Sequence, residues 1–64
     1  MEMNYSNTIL QLRAKLNLSQ ENLASLLGVS FASVNRWENG HNEPTMKSKR
    51  RIESMLKENK IEVE

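Results

Sequence analysis

Apolar residues recur along this chain at helical spacing. Tyr5, Ile9, Leu12 and Leu16 follow at intervals of four, three and four, which is one stripe of a helix face. They predict a first helix from about Ser6 to Leu16. Asn4 or Ser6 can cap it, and Asn17 can end it because asparagine tolerates the left-handed conformation. Leu18 reads as an anchor that tucks the connection into the core. Leu23, Ala24 and Leu27 form the face of a second helix. Ser19 is its expected N-cap, accepting from the amide near Asn22, and Glu21 suits the positive end of the helix dipole. Gly28 stands where this helix ends and the backbone must turn left-handed, which only glycine does cheaply. Ser30 can cap a third helix, about Phe31 to Glu38, whose Val34 and Trp37 point back at the second. Ala24 is small where these two helices cross. Asn39-Gly40 is a helix stop, and Pro44 prepares the next start. Thr45 can cap a last helix, about Met46 to Asn59, with Ser48, Ile52, Met55, Leu56 and Asn59 on one side. Ile61 to Glu64 alternates but is short and terminal; it reads either as frayed or as part of a dimer contact.

Two short amphipathic helices around a Gly-Val-Ser turn, over residues 20–39, make a helix-turn-helix pattern. At about 100° per residue the side of the third helix opposite Val34 and Trp37 is centred on Ala32. Phe31, Asn35, Arg36 and Asn39 surround it, with Ser33 at the flank. Ser19-Gln20, Leu23-Ala24, Leu27-Gly28-Val29-Ser30, Val34 and Trp37-Glu38-Asn39-Gly40 resemble the lambda-repressor/Cro-like (XRE-type) DNA-binding family. The likeness runs from Arg13 to Pro44, about two thirds of the chain. It implies an all-α bundle of four helices, or five if the last stretch divides in two as in many relatives. Here the apolar pattern favours one longer helix. Residues 1–59 form the expected DNA-binding domain and 60–64 a short C-terminal tail.

The resemblance also implies roles. The third helix would enter the major groove, with Phe31, Ala32, Ser33, Asn35 and Arg36 as base-contacting candidates. Arg36 can donate to guanine O6 and N7 or to a phosphate, Asn35 can bond adenine or backbone oxygens, and Phe31 can touch a thymine methyl. Family members often carry a polar residue at the position of Phe31. Gln20, Ser30, Asn39, Lys47 and Lys49 are the phosphate-contacting candidates; helix N-termini attract phosphates. Arg13 and Glu38 form an expected structural ion pair between the first and third helices. The implied partner is double-stranded DNA, as a two-fold symmetric operator, read by a homodimer at least when on DNA. Met55, Ile61 and Val63 are the exposed apolar candidates for the dimer surface. Trp37 could stack on bases, but its phase with Val34 favours the core.

Composition sharpens the picture. At 64 residues the chain is one domain. A chain this short buries roughly 60% of the surface its unfolded form exposes, so its core is small. Without cysteine it has no disulfide or thiolate metal site. The lone His41 has no companion at ligand spacing, and no metal or other cofactor is implied. The net charge of +1 does not announce a nucleic-acid binder. The cations are clustered, however: Lys47, Lys49, Arg50 and Arg51 stand nearly together, as a phosphate-facing cluster or a solubilising surface. The first residues lack the basic start and continuous apolar run of a signal peptide, and no stretch approaches the ~20 apolar residues of a membrane span. A cytoplasmic protein of a bacterial or phage-infected cell is expected. An enzyme is disfavoured, since the chain has no glycine-rich phosphate loop and no carboxylate pair set for a cleft. The competing reading is a protein-interaction module, antitoxin-like or an adaptor.

Overall fold

The computed structural model describes residues 4–63. Among them are four helices: α1 (Tyr5–Leu16), α2 (Gln20–Leu27), α3 (Phe31–Glu38) and α4 (Met46–Glu58). The first and fourth helices fall within a residue of the expectation, the third matches it, α2 lies between its expected cap Ser19 and stop Gly28, and the last region is one undivided helix. α3 packs against both α1 and α2, and α4 packs against α2.

Each helix starts on a short polar side chain that accepts from the amide three residues on. Asn4 accepts from Asn7, Ser19 from Asn22, Ser30 from Ser33 and Thr45 from Ser48. Each also ends at a left-handed residue: Asn17 (φ 55°), Gly28 (71°), Gly40 (75°) and Lys60 (53°). The following amide then reaches back to a carbonyl inside the helix. Leu18 N donates to Arg13 O at 2.9 Å, Val29 N to Ala24 O at 3.0 Å and Ile61 N to Leu56 O at 2.9 Å. No atom lies within 4 Å of where a Cβ would stand on Gly28. That glycine therefore answers backbone handedness and not crowding.

The core is drawn from all four helices. Ile9 and Leu12 come from α1, Leu23, Ala24 and Leu27 from α2, Val34 and Trp37 from α3, and Ile52, Met55 and Leu56 from α4. Tyr5, Leu16, Leu18, Val29, Ile61 and Val63 pack around it half-buried. Two expectations change here. Met55 is a core residue, not an exposed apolar one, because α4 buries a face wide enough to take Ile52, Met55 and Leu56 together. The stretch 60–63 is not frayed: Lys60 turns the chain and Ile61 and Val63 dock on the core. Thr8 is fully buried; its hydroxyl donates to the Asn4 carbonyl at 2.8 Å, which satisfies it. No helix among the described residues is long and apolar enough to cross a membrane.

Candidate nucleic-acid interface

α3 has eight residues and two buried side chains, Val34 and Trp37. Burying that edge turns the opposite one outward. Phe31, Ala32 and Arg36 are exposed, and Ser33 and Asn35 are half-buried at the flanks. Phe31 keeps 49% of its surface in solvent, a large apolar side chain held off the core by its phase. The Arg36 guanidinium forms no ion pair among the described residues. The five base-contacting candidates therefore share one side of one short helix.

A polar network sets that helix against the other two. Glu38, the last residue of α3, accepts from Arg13 of α1 through both carboxylate oxygens. Arg13 Nε meets Oε2 at 2.7 Å and Nη2 meets Oε1 at 3.0 Å. Arg13 Nη1 also donates to the Leu18 carbonyl at 3.2 Å. Gln20, at the start of α2, donates Nε2 to Glu38 Oε1 at 2.8 Å. The Glu38 side chain is 7% exposed and that of Arg13 24%. The hydrogen bonds from Arg13 to Glu38 chiefly hold the guanidinium pKa above its ordinary value, while burial acts the other way. Three helices thus meet at one carboxylate, and the expected Arg13–Glu38 contact is present. Ser6, read from the sequence only as a possible cap, donates its hydroxyl to the Glu38 backbone carbonyl and fastens α1 to α3 a second time. Nothing in the sequence pattern marks this bond.

The phosphate candidates are placed unequally. Ser30 and Lys47 are exposed at the starts of α3 and α4, and Lys47 has no ion pair among the described residues. Ser30 already caps α3 and shares a hydrogen bond with Ser33 Oγ at 3.0 Å. Gln20 is engaged with Glu38, and its Oε1 faces Asn35 Nδ2 at 3.5 Å. Asn39 donates Nδ2 to both the backbone and side-chain oxygens of Asn35, each at 2.9 Å. Lys49 lies elsewhere. It pairs with Glu43 at 3.3 Å and stands 5.1 Å from the centre of the Tyr5 ring, whose hydroxyl reaches Glu53 at 3.4 Å. Burial first and Glu53 next push the Tyr5 pKa up. Lys49 thus ties the 39–45 loop and α1 to α4. No cluster of metal-ligating side chains occurs among the described residues.

Four capped helices, with α3 buried on one edge and free on the other, define a helix-turn-helix fold. A helix-turn-helix family model matches residues 9–60, and the chain belongs to that family, of XRE type. It is similar to the HTH-type transcriptional activator BcrR of Enterococcus faecalis, 41% identical over 46 residues. The aligned stretch is 72% of this chain and 22% of that protein, so the chain spans well under half of the relative's length. No solved structure matches the chain.

Proposed function

We propose that the chain binds double-stranded DNA sequence-specifically and regulates transcription, with α3 lying in the major groove. The observation that carries this is the outward edge of α3: Phe31, Ala32 and Arg36 exposed, with Ser33 and Asn35 beside them. Ala32 at the centre lets the helix approach base edges closely. Arg36 supplies the fork that matches guanine O6 and N7, and Phe31 an apolar surface for a thymine methyl. Lys47 and Ser30 contact phosphates, as does Lys49 where Glu43 releases it, while Gln20 and Asn39 stay engaged with Glu38 and Asn35. One short helix reads only a few base pairs, so a homodimer on a two-fold symmetric operator, with half-sites about one helical turn apart, completes the reading. The setting is the cytoplasm of a bacterial or phage-infected cell.

Selection from a randomised duplex pool tests this, followed by titration of the winner against scrambled DNA at two salt concentrations. The expected result is enrichment of a two-fold symmetric site whose preference survives added salt. Arg36→Ala should weaken that site by about 5- to 150-fold while changing scrambled DNA much less, the range for one good bidentate base contact. Equal losses on both DNAs would move Arg36 to the phosphate class. One observation favours a protein partner instead, the half-exposed Phe31, since such aromatics anchor protein interfaces. Under that reading no DNA would be retained even at low salt, and a partner contact would persist as salt rises.

A further inference from the structure

A side-chain amide is nearly symmetric in shape. Turned by 180° about its last bond it fills the same space with donor and acceptor exchanged, and its neighbours decide which way round it stands. Asn35 has such neighbours on both sides. On one side is the Glu38 carboxylate, which can only accept. Its Oε1 takes Gln20 Nε2 at 2.8 Å, so the Gln20 oxygen is turned away from Glu38 and toward Asn35, whose Nδ2 lies 3.5 Å from it. On the other side is Asn35's own backbone carbonyl, which also only accepts. It takes Asn39 Nδ2 at 2.9 Å, and the same nitrogen donates to Asn35 Oδ1 at 2.9 Å. Both restraints demand the same orientation. The reversed amide would set nitrogen against nitrogen at Asn39 and oxygen against oxygen at Gln20. The two short bonds weigh more than the long one, so Asn39 is the stronger restraint. Asn35 Nδ2 keeps a second hydrogen and Oδ1 a second lone pair, one donor and one acceptor.

We propose that Asn39 and Gln20 are positioning residues that fix the Asn35 amide one way round, so that Asn35 distinguishes A·T from T·A at one base pair. The inference rests on the DNA-reading proposal above. Adenine displays an acceptor, N7, beside a donor, N6, and the two base pairs present them in opposite order across the major groove. A freely turning amide satisfies either order. A fixed one satisfies a single order, and the ion pair that fastens α1 to α3 thereby also shapes what α3 reads.

The experiment uses the selected site and first finds the base pair whose identity ceases to matter in Asn35→Ala. At that position the four base pairs are compared by titration for the wild-type chain and for the Gln20→Met/Asn39→Ala double variant. The wild-type chain should prefer A·T over both T·A and G·C by about tenfold, the size of one base contact. In the double variant T·A should rise to within about threefold of A·T while G·C stays disfavoured, with an unchanged salt slope. A parallel loss on all four sequences, with the salt slope shallower by about one, would make Gln20 and Asn39 phosphate contacts and overturn the proposal. Unchanged discrimination would overturn it too. Thermal unfolding checks that the variants are folded. Should the double variant not fold, Asn39→Asp tests the same point, since a carboxylate there can only accept and should turn the preference toward T·A. Absence of any enriched site defeats the DNA reading itself, and this inference with it; an enriched site with no such change defeats the inference alone.

Discussion

Arg13→Met should cost this domain about 3–5 kcal/mol, the scale for leaving one member of a buried ion pair without its partner. The reason is where the loss falls. The Glu38 side chain is 7% exposed, and three of its hydrogen bonds come from just two residues, Arg13 and Gln20. Without the guanidinium the carboxylate keeps one neutral amide and little water. Glu38→Leu should cost less, because Arg13 is 24% exposed and retains the Leu18 carbonyl. A core of this size rarely supplies more than about 3–5 kcal/mol in all, so Arg13→Met leaves the domain at the edge of folding. Urea unfolding of the two single variants and the Arg13→Met/Glu38→Leu double measures the coupling. A coupling of about 2 kcal/mol or more is expected, and one under ~0.5 kcal/mol would reduce the contact to an ordinary surface pair.

Trp37→Ala should cost about as much, ~3–5 kcal/mol, by a different route. Trp37 is 5% exposed, and α3 holds to the core through it and Val34. Removing the indole empties the largest side chain of the contact and loosens a helix too short to stand alone. The measurement is thermal unfolding by circular dichroism, where the midpoint should fall by some tens of degrees, at ~4–8 °C per kcal/mol for a domain this small. Arg36→Ala is the control, since an exposed side chain on the same helix should leave the midpoint within a few degrees. Had Trp37 been a platform for stacked bases, Trp37→Ala would keep its midpoint and lose only DNA.

The helix starts were legible because capping is local. Asn4, Ser19, Ser30 and Thr45 each act on an amide three residues away, a distance the sequence states directly. Asn17, Gly28 and Gly40 were legible as stops for the same reason, being residue types suited to the left-handed region. Lys60 was not. A lysine has no preference for φ 53°, and that turn is associated with the docking of Ile61 and Val63, a tertiary effect. The shared side of Ser48, Ile52, Met55 and Leu56 on α4 was legible, but Met55 had a second reading, as an exposed dimer candidate, that failed. Whether Met55 faces core or solvent depends on how far α2 and the tail wrap around α4, which periodicity alone does not say. In the candidate interface, the outward edge of α3 followed from the phase of Val34 and Trp37. The Arg13–Glu38 pair came from family resemblance, not from spacing. The link from Glu38 through Gln20 to Asn35 was invisible, because it requires the start of α2 to meet α3, whereas the bonds between Asn39 and Asn35 are four residues apart and local.

The connections have a consequence for time. Three residues join α1 to α2, three join α2 to α3, and seven lead into α4, each bounded by its own cap. The main helix contacts include α1 with α3 and α2 with α4, each one helix apart, but the connections are short, so little chain entropy is lost in closing loops before contacts form. Small helical domains built this way fold within microseconds to milliseconds, so temperature-jump relaxation should be a single phase in that range. A slow phase of seconds would show that the helices do not assemble as one unit. With rapid refolding, the chain can lose its shape often and regain it before a protease or an aggregating neighbour intervenes.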